Sequence, residues 1–375
     1  MKKPALLATA LALACAQAQE NLPSPAAPPA EKPADSAETV PHQLSSRDAA
    51  DALSEEELRQ VVDILRGNYL NPEALGETAL ARAGIQGLLD RLGAGARIFS
   101  AGKKADQRAA PFRSESLGDS VGYLRLGALA PENIAALDAA LDAFAAKPPG
   151  ALVLDLRATP HSTDFEIAAD CCRRFAPKGR VLFSIKKPKA NDEEILTSRD
   201  DPKWRGLLAV LVDGNTAGAG EVIAAVLHTH VAAYVIGRQT KGEAAQFEEL
   251  PLGAGRVLRV AVGEVALPDA TPVFPGGLAP DLIVDVPQEK TDEVLQLAMN
   301  GGVASLVIEK PRARMSEAAL IAGTNPELDE IQEVQRQRAN GVTAPPPRDE
   351  ALQRALDYFT SVRIFEAREA AGAGR

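Results

Sequence analysis

The strongest constraint on the fold is an alternation of short apolar segments with helical segments between residues 121 and 237. The apolar segments do not alternate with polar residues, which is typical of strands buried on both faces of a parallel sheet. The predicted strands are 121–126, 151–156, 180–185, 207–213 and 233–237. Helices are predicted at about 131–146, 164–175 and 219–228. The pattern therefore predicts an α/β domain.

One segment of this pattern, Leu207–Leu227, reads LLAVLVDGNTAGAGEVIAAVL: a buried strand, a loop of small residues and a helix. It resembles the nucleophile segment of the S41 peptidases, the tail-specific or C-terminal-processing proteases. Other strand motifs of that family have counterparts here in the same order, namely Val121–Leu126 (VGYLRL), Ala151–Arg157 (ALVLDLR), Ala233–Thr240 and Gly276–Val284 (GGLAPDLIV). The resemblance covers about residues 55–287 and a closing helix near 349–365. It implies a ClpP/crotonase-like S41 peptidase core with an N-terminal helical cap and C-terminal helices.

The catalytic positions of the family are replaced in this chain. The family loop reads roughly S-A-S-A-S-E with the middle serine as nucleophile, and that position is Gly218. The general base is a lysine about 25 residues later, where this chain has Glu243. A glutamine four residues further on completes the triad in some members, and that position is Phe247. The glycine-rich loop that helps form the oxyanion hole reads Ala158–Ser162 (ATPHS).

These replacements remove the groups on which serine peptidase chemistry depends. A serine hydroxyl becomes a useful nucleophile when a neighbouring base accepts its proton, and lysine is such a base when burial lowers its pKa. The sequence therefore predicts a catalytically inactive pseudopeptidase that binds extended peptide or protein segments. Helix N-terminal amides attract negative charge, so Gly218, Ala219 and Gly220 are predicted binding groups. Glu221, in the first helical turn, is predicted to be structural.

An active serine-type endopeptidase with relocated catalytic residues is the alternative hypothesis. Ser162 is the candidate nucleophile, and the candidate bases are His161, Lys241 and His230. Lys241 precedes the base position by two residues, so on an extended segment it would lie on the same face. Glu243 is also open as a base of its own.

Composition and charge exclude several other functions. The formal net charge is −10, whereas nucleic acid attracts basic surfaces. The sequence has no P-loop or dinucleotide-type glycine motif, so no cofactor is expected. Adjacent cysteines on a helix, Cys171 and Cys172, cannot form a disulfide without strain. Without metal-ligand spacing, we expect no metal site and interpret both cysteines as small buried hydrophobic residues.

Residues 1–18 are predicted to be a signal peptide. Basic Met1–Lys3 precedes an apolar run, Ala5–Ala14, that is too short to span a bilayer. Ala16–Ala18 forms an A-x-A cleavage site. In a competing interpretation Cys15 is lipid-modified and tethers the protein to a membrane. Both interpretations predict export to the periplasm or cell envelope.

The remaining chain is predicted to contain a Pro/Ala-rich linker at 19–50, an N-terminal helical cap at 51–100, the core at 121–287 and C-terminal segments. The cap contains a capping box at Ser54 and an amphipathic stretch at 77–92, and its apolar face is predicted to be core. Residues 100–120 read as a polar, basic loop that is too short for the PDZ domain many S41 peptidases carry there.

The C-terminal part is predicted to comprise an insertion at 288–347 and a closing helix and tail at 348–375. The insertion contains a charged, helix-like segment at 326–338. We interpret this segment as a solvated helix or as a partner-binding surface. A structural or assembly role through residues 300–347 is therefore a third hypothesis.

Overall fold

The computed structural model describes residues 50–100, 111–118, 120–269, 271–307, 336 and 347–373. The described residues divide into two compact units, with the boundary between Leu80 and Ala81. The predicted signal peptide and nearly all of the predicted linker lie outside the described residues.

In the first unit, helix α1 spans Glu55–Asn68 and begins with the predicted capping box at Ser54. The Glu57 amide donates to the Ser54 hydroxyl, and the Ser54 amide donates to the Glu57 carboxylate at 2.8 Å. No residue of α1 is buried; Leu58 and Leu65 are 45% and 43% exposed. The prediction of a core face is therefore wrong for the described residues, because side chains this exposed bury little apolar area. Helix α2, which crosses the unit boundary, spans Glu77–Leu92 as predicted and also buries no residue.

Two sheets organise the second unit. The six-stranded sheet has the order β11-β8-β7-β4-β3-β2, and its strands are β2 (Arg113–Leu117), β3 (Val121–Arg125), β4 (Ala151–Asp155), β7 (Leu207–Val212), β8 (Tyr234–Gly237) and β11 (Leu282–Ile283). All neighbours pair in parallel except β2, which is antiparallel to β3. Every residue of β3 and β4 is buried, as the uninterrupted apolar pattern predicts.

Helices cover both faces of the six-stranded sheet. Helices α3 (Pro131–Ala146), α4 (Phe165–Arg173) and α5 (Ala219–Val231) share a hydrophobic core with one set of strand residues. Helices α6 (Gln288–Gly301) and α7 (Glu350–Ala373) share a second core with the alternate strand residues. Because successive residues of a strand point to opposite faces, each strand contributes to both cores. This arrangement confirms the predicted α/β class.

The second sheet is antiparallel and carries side chains toward the candidate site. Its strands are β1 (Ala96–Ser100), β5 (Val181–Lys187), β6 (Asp192–Thr197), β9 (Ala245–Gly253) and β10 (Arg256–Ala266). Strands β9 and β10 pair antiparallel as a hairpin that turns between Gly253 and Arg256. Pairing of β1 with β10 places Arg97 directly opposite Arg259.

A buried ionic network attaches α7 to the six-stranded sheet. The Arg157 guanidinium donates to Asp349 at 2.9 and 2.7 Å and to Asp155 at 3.0 and 2.7 Å. Tyr123 donates its hydroxyl to Asp155 at 2.8 Å. Asp349 also accepts from the Leu352 amide in the first turn of α7. The aspartate and arginine of the ALVLDLR motif therefore stabilise the fold and hold the closing helix.

Two predictions about connecting segments need correction. Residues 113–117, predicted as loop, form β2, because each of them pairs with a residue of the buried strand β3. Residues 288–301, assigned to an insertion, form α6, and its Val294 and Leu295 are buried in the second unit. The helix predicted at 326–338 lies outside the described residues except for Arg336. The closing helix is confirmed and continues to Ala373.

The adjacent cysteines behave as predicted from the sequence. Cys171 and Cys172 are free and fully buried on α4. Burial raises the pKa of Cys171 to about 12. Among the described residues, no helix is long and apolar enough to cross a membrane.

Candidate functional site

The candidate site is built around a sharp turn between β7 and α5, which we call the elbow (residues 216–219). Gly218 immediately precedes α5 with φ 61° and ψ −123°, a conformation that side-chain-bearing residues rarely adopt. Asp213 stabilises the approach to the turn by accepting from the amides of Asn215 and Thr216 at 3.0 and 2.9 Å. The elbow therefore has the strand–turn–helix form that presents a nucleophile in some hydrolases, but the presented residue is glycine.

The segment that follows β4 covers the elbow. The carbonyl oxygen of Ser162 accepts from the Ala219 amide at 2.8 Å, and Ser162 and Gly218 form a parallel β-bridge. A Cβ atom added to Gly218 would lie 2.4 Å from that carbonyl oxygen and 3.3 Å from the His161 ring. The described conformation is therefore incompatible with any side chain at position 218.

Glu221 organises the inside of the elbow. It is fully buried, and its carboxylate accepts from the amides of Gly218, Gly242 and Glu243 at 2.6–2.8 Å and from the Thr240 hydroxyl at 2.5 Å. Burial raises the pKa of this carboxyl, against the opposing effect of the four hydrogen bonds. These contacts support the structural role predicted for Glu221, because they fix the start of α5 to the segment that carries Glu243.

Glu243, at the family's base position, is a buried carboxylate surrounded by cations. Its side chain is only 3% exposed. Arg97 Nη1 lies 3.3 Å and Lys241 Nζ lies 3.2 Å from its Oε1, and Arg259 Nη1 lies 3.6 Å from its Oε2. We call Arg97, Lys241 and Arg259 the rim cations.

His161 and Phe247 lie beside the rim cations. Arg259 Nη2 is 2.8 Å from Nε2 of His161, and since a guanidinium can only donate, Nε2 is the acceptor. Arg259 also stacks over the Phe247 ring at 3.9 Å. The 3.5 Å separation of His161 Nε2 from Glu243 Oε2 is then a contact between two acceptors. Arg259 therefore occupies the nitrogen through which His161 could act as a base.

The candidates for relocated catalysis are only partly brought together. Ser162 and His161 lie at the elbow, but the Ser162 hydroxyl accepts from the Asp164 amide at 3.1 Å. Lys241 is paired with Glu243.

His230 lies twelve residues after Gly218 along α5, which places it about 18 Å from the elbow. Its Nε2 is buried without a hydrogen-bond partner in the described structure.

The three predicted binding amides are engaged within the protein. Gly218 donates to Glu221, Ala219 to Ser162 and Gly220 to the Ala217 carbonyl at 3.2 Å. A ligand would reach the Ala219 amide only if the Ser162 carbonyl withdrew. Their binding role stays a prediction.

The rim cations were only partly apparent from the sequence. Lys241 was singled out, but Arg97 and Arg259 were not, because they come from strands of the second sheet that are distant in sequence. Strand register in that sheet was the missing information. No group of three or more His, Cys, Asp or Glu side chains in the described part of the chain is arranged to hold a metal ion.

Comparison with known proteins identifies the domain. Residues 120–284 match peptidase family S41, so the chain carries an S41 peptidase domain. A carboxy-terminal-processing protease of Bartonella bacilliformis is 28% identical over 72% of this chain and 60% of its own length. A carboxyl-terminal-processing protease of Synechocystis sp. is 27% identical over 45% of this chain and 39% of its own length. The chain thus spans less than two thirds of either relative.

Solved structures give weaker similarities. The photosystem II D1 C-terminal processing protease aligns with a TM-score of 0.40 and 22% identity, over 56% of this chain and 53% of that one. A lipoprotein from Streptococcus agalactiae aligns with a TM-score of 0.42 and 14% identity, over 64% of this chain and 94% of that one.

Proposed function

We propose that this chain is an exported S41-type pseudopeptidase that binds extended peptide or protein segments without cleaving them. The observation that carries the proposal is the elbow itself. Gly218 offers no nucleophile, and the Ser162 carbonyl lies 2.4 Å from where a side chain would begin.

The chemistry of acyl transfer supports this proposal. The reaction requires a nucleophile, a base within hydrogen-bond distance and donors for the developing oxyanion. Gly218 cannot attack, Glu243 is held by three cations, and the Ala219 amide is already bonded to Ser162. The loss or occupation of all three groups at the elbow supports the proposal.

Peptide binding is the function that remains for this fold. Its family acts on peptide or protein substrates, and the relatives are named as processing proteases. The domain retains the strand–turn–helix elbow and the buried Glu221 that orders it. We therefore propose that the surface around the elbow binds extended chains.

Proteolysis and binding are tested with the protein that begins at Gln19, incubated with a complex mixture of unfolded peptides. Mass spectrometry counts new termini, and affinity capture on immobilised protein identifies retained peptides. The Bartonella relative, cutting the same mixture, is the positive control for cleavage. Heat-unfolded protein is the control for non-specific capture.

The proposal predicts retained peptides and no new termini. New termini that disappear in the Ser162→Ala variant would refute it and support the relocated-serine enzyme. A serine-directed fluorophosphonate gives an independent readout, with labelling of the wild type that is lost in Ser162→Ala as the contradicting result. Capture equal to that of the unfolded control would refute the binding function.

Export is tested by cell fractionation. The proposed signal peptide places the protein outside the cytoplasm, and lipid modification at Cys15 would hold it in the membrane fraction. A Cys15→Ala variant would then become soluble in the periplasmic fraction. Accumulation of the wild type in the cytoplasmic fraction would contradict export.

A further inference from the structure

The rim cations form an electropositive site at the edge of the elbow. Arg97 and Lys241 have side chains that are 55% and 44% exposed, and Arg259 is 20% exposed. Glu243, which they share, is 3% exposed and lies beneath them. A bound molecule would therefore meet the cations before it met the carboxylate.

Charge and hydrogen-bonding capacity at this site are unbalanced. Three positive charges surround the Glu243 carboxylate, and even with buried Glu221, which accepts from the Glu243 amide at 2.7 Å, they leave an excess of positive charge in a chain whose formal net charge is −10. Two guanidinium groups and one ammonium group have far more N–H donors than one carboxylate can accept. Within the described structure, Glu243 is the only anionic partner of each rim cation.

The surrounding groups reduce this excess only weakly. Glu249 lies opposite Arg259 in the β9–β10 pairing, but it is exposed and forms no ion pair in the described structure. The imidazole of His161 accepts one of the Arg259 donors, and the Phe247 ring faces the same guanidinium. Arg97 and Lys241 thus keep unused donors on the exposed side.

From this arrangement we propose that the rim cations bind an acidic side chain, Asp or Glu, of a peptide held beside the elbow. The inference rests on the proposed peptide-binding function and adds a substrate class to it. A carboxylate matches the planar guanidinium of Arg97 through paired hydrogen bonds, and Lys241 adds a point charge. Because both side chains are about half exposed, this contact forms without displacing Ser162 from the elbow.

The test uses synthetic peptides of defined chemistry and isothermal titration calorimetry. The probe is an acetylated, amidated peptide of Ala and Ser with two adjacent central Glu residues, which has no terminal charge. Its matched control replaces both Glu residues with Gln. A third peptide has the Gln sequence with a free carboxyl terminus, which separates a terminal carboxylate from a side-chain carboxylate. A mixture of unfolded peptides tests binding in general.

The protein variant is Arg97→Gln combined with Lys241→Gln, which leaves Arg259 and Glu243 as a balanced pair. The control variant is Lys189→Gln, which removes an exposed charge from the turn between β5 and β6. We expect the Glu peptide to bind about twofold to thirtyfold more tightly than the Gln peptide, because it gains two exposed ion pairs, each of which is weak by itself. Added salt should remove this preference by screening.

Loss of the preference in the double variant, but not in Lys189→Gln, would support the inference. Equal affinity for the Glu and Gln peptides would overturn it while leaving peptide binding intact. A preference for the free carboxyl terminus over both amidated peptides would also overturn it. No binding of these peptides or of the unfolded mixture would refute the proposed function itself.

Discussion

Replacement of Gly218 by alanine should destabilise the elbow for two separable reasons. A non-glycine residue at φ 61° and ψ −123°, outside the left-handed helical region, costs about 1–3 kcal/mol. The added Cβ would lie 2.4 Å from the Ser162 carbonyl oxygen, which must withdraw by roughly 1 Å to reach a van der Waals separation of about 3.5 Å. That movement breaks the Ala219–Ser162 hydrogen bond, worth about 1 kcal/mol. The sum is about 2–4 kcal/mol.

Two glycine variants separate these contributions. Gly179 also has a positive φ, 82°, but an added Cβ there meets nothing within 4 Å, so Gly179→Ala should show the strain alone. Gly220 lies in α5, and its added Cβ would make ordinary contacts at 3.5 and 3.8 Å. Gly220→Ala should therefore be neutral or slightly stabilising, since alanine favours helix.

The assay combines thermal unfolding with hydrogen exchange of residues 158–164. A loss of about 2–4 kcal/mol lowers the Tm by roughly 4–16 °C, at about 2–4 °C per kcal/mol for a large domain. Exchange in the covering segment should accelerate in Gly218→Ala and stay unchanged in Gly179→Ala. If the two variants lose equal stability and the segment keeps its protection, the Ser162 carbonyl does not constrain position 218, and the steric argument is wrong.

Three further predictions concern the core. Cys171 and Cys172 should not react with Ellman's reagent at mildly alkaline pH until the protein is unfolded. Burial raises the pKa of Cys171 to about 12 and excludes the reagent from both thiols. Rapid reaction of the folded protein would contradict the described burial. Asp349→Asn should lower the free energy of unfolding, measured in urea, by about 3 kcal/mol, since it removes a carboxylate from buried Arg157. A loss below about 1 kcal/mol, the range of exposed ion pairs, would contradict the stabilising role of this buried network. Burial alone would raise the pKa of Asp155, but the charge and hydrogen bonds of Arg157 lower it. The ionised Asp155 therefore stabilises the folded state above about pH 3.9, and this contribution is lost as the pH falls through the lower pKa of the folded state. In Asp155→Asn, the free energy of unfolding should therefore fall less steeply as the solution is acidified.

The elements around the elbow were predictable because local sequence determines them. The apolar run Leu207–Val212 can only be a buried strand, and small residues followed by Glu221 open a helix. The capping box at Ser54 and the helix at 77–92 were equally local signals. The sequence does not predict strand β2, because its residues are mostly polar and show no apolar pattern. It forms a strand because it pairs with β3.

The chemistry of the site depended on contacts between distant segments. Gly218 and Glu243 were identified by position, but the Ser162 carbonyl over the elbow comes from a turn whose direction no spacing rule predicts. The rim cations required the register between β1 and β10, which places Arg97 opposite Arg259. The buried apolar face predicted for α1 failed for a related reason, since an amphipathic pattern does not specify what covers it.

The Ser162 carbonyl competes with any ligand for the Ala219 amide, because it already accepts the hydrogen bond from that amide. Any ligand that needs this amide binds only the fraction of molecules in which the carbonyl has withdrawn, so its measured Kd rises by the inverse of that fraction. An opening free energy of about 2 kcal/mol corresponds to a weakening of about thirtyfold. A ligand held by Arg97 and Lys241 alone avoids this penalty, so the two binding modes differ in affinity even though they lie beside the same elbow.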